Sequence, residues 1–469
     1  MAGSTAGWSG LKRTINASHI STADRQACCG LNHNNWPLLI LPGKQTFLAP
    51  AISISGLLVI LILGLLLAFP VRALPLAERH EASGLNSHFS FDGNSFAAYL
   101  SHTRQVISTA RLDLNDNNRE AIINANLPFE LLPPEHCPKP STAKRFQRGI
   151  LLIHGLTDSP YWLRHLGKRL QQNCFYVLTI LLPGNGTRPG DLLDVSWQDW
   201  VKAMDFGTAL LKNTVEQMWL GGYSTGATLA LFQASRQPDI RGLLLFSPGL
   251  RLSTKAAWAH WRQWFGRLWR PALWWQVQPD DDPYKYESFP INGAVQLYRL
   301  IQQLQTTLQQ PPSLPILIAA SEDDISVDSR ATIELFKQWP HPRKKLLWFS
   351  REMQPQKGPL QIIDSRATDQ ASGHPVLSSS HISLLMPDSD PHYGTGGNYA
   401  FCSHYFNEQP LAWQQCKKRR ENLLAETTPY FLSQGIVRRL TYNPFFEGMM
   451  REVTAFIQTQ DGTRPGIQP

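Results

Sequence analysis

Short runs of apolar residues alternate with helix-like segments along the chain from Arg148 onward. These runs have almost no polar face, which is typical of parallel strands in a sheet that helices cover on both sides. The alternation predicts a doubly wound α/β fold with a mostly parallel sheet. The predicted strands are 150–153, 175–182, 217–220, 243–246 and 316–320.

A longer apolar segment lies nearer the start of the chain. Residues 45–71 contain no charged side chain, and 51–69 are almost wholly apolar. Roughly 20 such residues span the hydrocarbon layer of a bilayer as a helix, whereas a core helix usually keeps a polar face. We therefore expect one N-terminal transmembrane helix at 47–71. A cleaved signal peptide is less favoured, because its apolar region is shorter, roughly 7–15 residues, and follows a short basic start.

The other segments follow from composition and from the positions of prolines. Residues 1–46 form a polar leader, and 72–147 predict a stalk and lead-in with one helix near 95–112. Prolines at the end of this lead-in indicate an irregular approach to the next segment. We expect the main domain at 148–460 and a short tail at 461–469.

Composition narrows the class of protein. Hydrophobic residues make up 42% of the chain and charged residues 17%, which is enough apolar content for a folded core. The net charge is +8, but the basic runs are short and no zinc-finger, RRM or helix-turn-helix signature accompanies them. We therefore expect solvated surface charge and no nucleic-acid partner.

The cysteines bear on the compartment in which the chain folds. Two cysteines precede the predicted membrane helix and four follow it. The four permit two disulfides in an oxidising compartment, and four reduced, buried thiols are the alternative. The disulfide hypothesis pairs cysteines close in sequence, Cys137 with Cys174 and Cys402 with Cys416. Basic residues flank both ends of the predicted helix, so the positive-inside rule does not decide its orientation.

The motif Gly222-Tyr223-Ser224-Thr225-Gly226 follows a short predicted strand and precedes a helical segment at 225–236. A sharp turn from strand to helix crowds the backbone, so the residues two before and two after the central serine must be small. Such a turn exposes the serine oxygen at the end of the sheet. The pattern therefore makes Ser224 the candidate nucleophile.

Another predicted strand ends in His154-Gly155 and turns sharply into Leu156. In folds with a nucleophile elbow, one oxyanion donor is a backbone amide of this loop, and the other is the amide after the nucleophile. The candidate oxyanion donors are therefore the amides of Leu156 and Thr225. We expect His154 to be a structural residue of the loop.

The candidate acid and base follow the strand at 316–320. A carboxylate just past this strand can hold a histidine in its working tautomer. Asp323 and Asp324 both fit the chain order of serine, aspartate and histidine, and the spacing to Val327 favours Asp324. Among the downstream histidines, His381 has the best context, in a serine-rich segment beyond the last predicted strand. The candidate bases are His341, His374, His381, His392 and His404.

Several segments together resemble a group of bacterial α/β hydrolases, similar to carboxylesterases, monoacylglycerol lipases and serine aminopeptidase-like hydrolases. The resemblance covers about 125–460 and implies the α/β-hydrolase fold. It also implies that His381 is the triad base and Asp324 the acid. Such enzymes commonly have histidine at the position of Asn185. This difference puts local substrate contacts in doubt more than the mechanism. The segments are Leu152–Tyr161, Leu181–Asp191, Gly222–Gly226, Ser380–Ser383 and Pro391–Gly394.

The same resemblance bears on disulfides and on a cap. Members of the group carry cysteines near Cys137 and Cys174, which favours a disulfide and a periplasmic domain. By analogy, a helical cap enters at about 250–312, where a stripe of apolar residues has helical spacing. Either the stripe packs the cap onto the core, or it lines an acyl pocket and contacts the membrane surface. The stripe consists of Trp258, Trp261, Phe265 and Leu268.

Together these features predict a membrane-anchored serine hydrolase that cleaves carboxylic esters, including lipid-derived ones, through a triad of Ser224, His381 and Asp324. An acyltransferase with the same triad and an inactive tethered binding protein are the alternatives. No metal or organic cofactor is expected, since no Cys/His spacing suits zinc. We expect the bacterial inner membrane as location, with the catalytic domain in the periplasm. Neither the acyl specificity nor the oligomeric state follows from the sequence.

Overall fold

The computed structural model describes residues 76–252, 266, 269–352, 358–369, 373–418 and 422–458, all within the unit Val71–Pro469. The predicted transmembrane helix at 47–71, the leader at 1–46 and the tail at 461–469 lie outside the described residues. So does the stripe of Trp258, Trp261, Phe265 and Leu268. Among the helices of the described part, none is both long enough and apolar enough to cross a membrane.

Strands of very different length make up three sheets. The described strands are β1 (Glu130–Leu131), β2 (Phe146–Ile153), β3 (Tyr176–Thr179), β4 (Val215–Tyr223), β5 (Ile240–Phe246), β6 (Trp274–Gln276), β7 (Phe289–Pro290), β8 (Ile316–Ser321), β9 (Lys344–Ser350), β10 (Leu360–Asp364), β11 (Ala367–Thr368), β12 (Pro375–Val376), β13 (Leu423–Ala425) and β14 (Val437–Arg439). The main sheet has the order β1-β3-β2-β4-β5-β8-β9-β10. Only the β1–β3 pair of this sheet is antiparallel, as expected of a mostly parallel α/β sheet.

Helices cover both faces of the main sheet. The described α-helices are α1 (Phe96–Ala110), α2 (Arg119–Asn126), α3 (Arg164–Gln172), α4 (Trp197–Thr214), α5 (Thr225–Arg236), α6 (Ile291–Thr307), α7 (Ser329–Gln338), α8 (Ser403–Phe406), α9 (Pro410–Lys418), α10 (Pro429–Leu432) and α11 (Phe446–Gln458). Leu151 of β2 packs into a core with α4 to α7, whereas its neighbour Leu152 packs into a second core with α3 and α11. The strands are apolar on both sides because each side has its own core.

Part of the expected stalk at 72–147 packs onto the main sheet, through α1 and β1. The helix expected near 95–112 is α1, and the Ser95 hydroxyl caps its first turn. The buried Tyr99 hydroxyl donates to the Leu181 carbonyl and accepts from the Leu181 amide. In addition, β1 extends the sheet at its edge. The buried residues of α1 recur at helical spacing on one face: Tyr99, Thr103, Ile107 and Ala110.

The cap expected at 250–312 includes a helix that the structure places in the main core. Helix α6 lies within this range, yet it packs against α5 and buries Leu297, Leu300 and Leu304 in the main core. It connects the parallel strands β5 and β8, which need a crossover between them. The described part of the cap therefore lies before α6 and contains the antiparallel pair of β6 and β7.

A second sheet follows the main one and was missed in the sequence. Its order is β11-β12-β13-β14, and the disulfide between Cys402 and Cys416 lies in the same part of the chain. The strands have two or three residues each, too few to produce a periodic pattern. The loop that follows β12 carries His381, so this sheet adjoins the candidate site.

Candidate active site

Ser224 lies in a strained turn between β4 and α5. Its φ is 55° and its ψ is −118°, a conformation that few residues other than glycine adopt. A Cβ on Gly222 would lie 2.3 Å from the Gly226 carbonyl carbon, and one on Gly226 would lie 2.2 Å from the Ile153 oxygen. Both positions therefore require glycine, and the turn has the geometry of a nucleophile elbow.

Ser224, His381 and Asp324 form one line of hydrogen bonds. Nε2 of His381 lies 3.0 Å from Oγ of Ser224, and its Nδ1 lies 2.6 Å from Oδ2 of Asp324. The other oxygen of Asp324 accepts from the amides of Ser326 and Val327, at 2.8 and 3.0 Å. Since the carboxylate only accepts, Nδ1 carries the proton and Nε2 is free to accept from the serine.

The competing candidates have other partners. The carboxylate of Asp323 binds the Arg351 guanidinium, at 3.1 and 3.2 Å. Of the five candidate histidines, all of them described, only His381 has a hydrogen bond to Ser224. The others contact different groups: His341 accepts from the Arg343 amide, the His374 carbonyl accepts from the Asp369 amide, His392 contacts Asp282, and His404 contacts the Val437 carbonyl.

The loop after β2 brings the Leu156 amide to the site, and the first turn of α5 brings the Thr225 amide. Within the described part of the chain, neither amide donates to a protein acceptor. Asn185 lies behind the loop, completely buried, and its side-chain amide donates to the Leu156 carbonyl at 2.6 Å. It is not part of the cavity wall, so its difference from the histidine of similar enzymes concerns the loop and not a substrate contact.

His154 is a structural residue, as expected. Its Nδ1–H donates to the Gly155 carbonyl at 2.8 Å, and its Nε2 accepts from the Leu182 amide at 3.1 Å. The ring is completely buried, and burial lowers the pKa of His154 to about 4. The neutral ring thus ties the loop after β2 to the chain that follows β3.

A cavity of about 420 Å³ opens over Ser224. One part of its wall is polar, where Lys285 Nζ donates to Asp158 Oδ1 at 2.5 Å and to Thr157 Oγ1 at 2.7 Å. Burial raises the pKa of Glu287, which accepts from the Tyr399 hydroxyl. The rest of the wall is mainly apolar and includes Leu156, Leu252, Phe289, Leu297, Ile325, Val327, Ile382 and Phe401.

Sequence reasoning missed the charged residues around the triad. Lys285 comes from the cap, while Glu426 and Arg439 come from the second sheet. No motif surrounds any of them, and each is distant in sequence from the residues it contacts. Among the described residues, His136, Cys137 and Cys174 have ligand atoms close enough for a metal, but the two cysteines are bonded to each other.

The eight-stranded, mostly parallel sheet and the elbow after β4 define an α/β-hydrolase fold. A comparison with known proteins agrees with this class. Residues 145–352 match the family model described as serine aminopeptidase, S33. The matched residues include Leu156, Ser224, Thr225 and Asp324, and they end before His381.

The chain is similar to two curated enzymes and to solved structures. A thermostable monoacylglycerol lipase from Bacillus sp. (strain H-257) is 27% identical over 195 residues, which are 42% of this chain and 78% of that enzyme. A carboxylesterase from Bacillus subtilis (strain 168) is 22% identical over 214 residues, 45% of this chain and 86% of that enzyme. The structure of a Paleococcus ferrophilus monoacylglycerol lipase is 20% identical with a TM-score of 0.38, covering 48% of this chain and 88% of that one. The chain thus has the α/β-hydrolase fold and is similar to serine hydrolases of the esterase and lipase type.

Proposed function

We propose that this protein hydrolyses carboxylic esters with Ser224 as nucleophile, His381 as general base and Asp324 as the acid that orients it. The hydrogen-bonded line from Ser224 through His381 to Asp324, at 3.0 and 2.6 Å, is the observation on which the proposal rests. Serine is a weak nucleophile until an adjacent base takes its proton, and the base acts only in the correct tautomer. Both requirements are met by this arrangement.

The reaction proceeds in two halves. His381 Nε2 takes the proton from Ser224 Oγ as the oxygen attacks the ester carbonyl carbon, and Asp324 stabilises the imidazolium that forms. The amides of Leu156 and Thr225 donate to the oxyanion, where one such donor contributes about 3 to 4 kcal/mol. His381 then protonates the leaving alcohol. Water, deprotonated by His381, then attacks the acyl carbon. The bond to Ser224 Oγ breaks, His381 returns the proton to that oxygen, and the carboxylic acid is released.

The cavity supports an ester with an apolar acyl part. Its mainly apolar wall can cover a hydrocarbon chain, while the polar groups around Lys285 and Asp158 suit an alcohol portion. The similar enzymes are named as a monoacylglycerol lipase and a carboxylesterase, which agrees with this substrate class. We propose esters of this kind, including lipid-derived esters, as substrates.

Labelling with a fluorophosphonate probe tests the proposed nucleophile. The probe forms a stable bond to an activated serine, so wild-type protein becomes labelled and Ser224→Ala does not. Hydrolysis of p-nitrophenyl butyrate by the same preparations tests the reaction itself. Label on another residue, or equal label on the variant, contradicts the assignment of Ser224.

We also propose that the segment 47–71 anchors the chain in the bacterial inner membrane, with the catalytic domain in the periplasm. The uncharged apolar stretch supports the anchor, and the disulfides Cys137–Cys174 and Cys402–Cys416 support an oxidising compartment. Carbonate extraction and protease treatment of spheroplasts test this. Anchored protein stays in the membrane pellet and is cleaved from outside; protein released by carbonate contradicts the anchor.

A further inference from the structure

A buried ion pair from the second sheet lies beside the proposed triad. Arg439, the last residue of β14, binds Glu426, which directly follows β13, through Nε at 2.7 Å and Nη2 at 2.8 Å. Glu426 is completely buried and Arg439 is 9% exposed. Both lie outside the residues 145–352 that match the family model.

One end of the pair holds the backbone of the proposed base. The His381 amide donates to Oε2 of Glu426 at 3.0 Å. On its other side, the His381 carbonyl accepts from the Tyr223 hydroxyl at 3.1 Å. The peptide groups on both sides of the imidazole are thus fixed by buried partners.

The other end of the pair holds the loop of the proposed acid. Nη2 of Arg439 donates to the Ser326 hydroxyl at 2.8 Å. The amide of Ser326 in turn donates to Oδ1 of Asp324 at 2.8 Å. With the bond from His381 to Asp324, these contacts close a ring of hydrogen bonds through five residues. The acid and the base come from separate loops, and the ion pair joins those loops.

We propose that Glu426 and Arg439 are positioning residues that hold His381 and Asp324 in their reactive arrangement. This inference rests on the proposed function. It assigns the second sheet a part in catalysis, because both residues of the pair belong to that sheet or adjoin it. A shift of about 1 Å in such an arrangement can lower a rate by about a hundredfold.

Physical chemistry favours positioning over stability as the role of the pair. Removing two charges from water is costly, so a buried ion pair often stabilises a fold no more than apolar residues of similar volume. Burial by itself would lower the pKa of Arg439, but the carboxylates of Glu426 and Asp324 hold it above its ordinary value. The guanidinium therefore stays charged and keeps its directed hydrogen bonds.

Removing one or the other charge of the pair is expected to shift the pH dependence of kcat/KM in opposite directions. The charged groups around Tyr223 and the triad are Asp158, Asp324, Glu426 and Arg439, and Lys285 is paired with Asp158. Glu426→Gln removes a negative charge near the imidazole, so the acid limb of the kcat/KM profile moves to lower pH. Arg439→Met removes a positive charge, so the same limb moves to higher pH. These shifts follow from the charges alone, so the positioning role is tested by kcat and by the uncharged substitution Ser326→Ala.

The experiment compares full-length wild type with Arg439→Met, Arg439→Lys and Glu426→Gln on p-nitrophenyl butyrate between pH 5 and 9. Rates are expressed per active site, counted by complete labelling with a fluorophosphonate. Arg439→Met should lower kcat by about 10- to 100-fold with KM within threefold, and Arg439→Lys should recover part of the loss. Lys345→Met breaks the Lys345–Glu452 pair at the start of β9 and serves as the matched control with unchanged kcat.

Ser326→Ala keeps the test decisive if variants of the ion pair do not fold. It removes the link to the acid loop and leaves Arg439 paired with Glu426, so no buried charge loses its partner. We expect kcat per active site to fall about three- to tenfold. Wild-type kcat in every folded variant overturns the inference. If wild type neither hydrolyses the ester nor becomes labelled at Ser224, the proposed function is overturned instead. The failure of the inference and the failure of the proposed function are therefore distinguishable.

Discussion

Asn185 fixes the loop that presents the Leu156 amide, through a 2.6 Å hydrogen bond from its side-chain amide to the Leu156 carbonyl. The same amide group donates to the Asp158 carbonyl at 3.0 Å, so both ends of this short segment are held. Asn86, which lies before α1, donates to the Asn185 carbonyl at 2.7 Å. The loop is thereby oriented before substrate arrives, which is the condition under which an oxyanion donor is most effective.

Asn185→Asp is expected to lower kcat by about 10²- to 10³-fold with little change in KM, because a carboxylate facing two carbonyls displaces the Leu156 amide. Steady-state kinetics on p-nitrophenyl butyrate measure this. Asn86→Ala removes only the outer contact and should cost much less. Equal kcat for Asn185→Asp and wild type would mean that the loop keeps its orientation without this residue.

Ser224→Ala is expected to lower ester hydrolysis by about 10⁴-fold or more while the fold persists, since the attacking oxygen is lost. Alanine has the same backbone requirements as serine at φ 55°, so the elbow gains no new strain. Circular dichroism checks the fold and initial rates check the activity. Near-normal turnover by the purified variant contradicts the assignment.

Asp324→Asn and Asp323→Asn form a matched pair of substitutions on one loop. The first should lower kcat by about 10⁴-fold, because an amide in place of the carboxylate favours the wrong tautomer of His381. The second disturbs only the contact with Arg351 and should leave kcat within a few-fold of wild type. Steady-state rates at pH 8 distinguish them. The reverse order of effects would make Asp323 the acid.

The lowered pKa of His154 predicts that the protein loses stability as the pH falls. Burial lowers its folded pKa from 6.5 to about 4, so between these values the unfolded chain binds a proton that the folded chain does not. The free energy of unfolding therefore decreases as the pH falls through this window, by about 3 kcal/mol in full. His404, with its pKa also lowered to about 4 by burial, acts in the same direction.

Urea denaturation between pH 4 and 8 measures this dependence. His154→Gln removes the titrating group, so the variant should lose about half of the combined effect of the two histidines, although it is less stable at every pH. Identical pH dependence in the variant and in wild type excludes His154 as a source.

The two disulfides should differ in their contribution to stability. They join residues 37 and 14 positions apart, and the entropy of closing these loops in the unfolded chain predicts about 4 and about 3 kcal/mol. Paired serine substitutions at Cys137 and Cys174, and at Cys402 and Cys416, test this by urea denaturation of exported protein. Four free thiols in natively exported protein would contradict both bonds and weaken the periplasmic assignment.

The sequence by itself determined the features that depend on short stretches of chain. The apolar runs located β2, β4, β5 and β8, and the glycines around Ser224 predicted a turn from strand to helix. These patterns are local, since burial on both faces removes polar residues from a strand and the elbow excludes side chains at fixed positions. Strands β9 and β10 were missed between β8 and His381, and the strands of the second sheet are too short to give a pattern.

Only the tertiary structure decided which distant side chains meet. Asp323 and Asp324 are adjacent and chemically identical, and the amides of Ser326 and Val327 turn one of them toward His381. The strand order β5-β8-β9 and the contact of the second sheet bring His381, Glu426 and Arg439 to the same end of the main sheet. Each of these contacts depends on the direction of a side chain and on the packing of separate segments, which no local pattern of residues encodes.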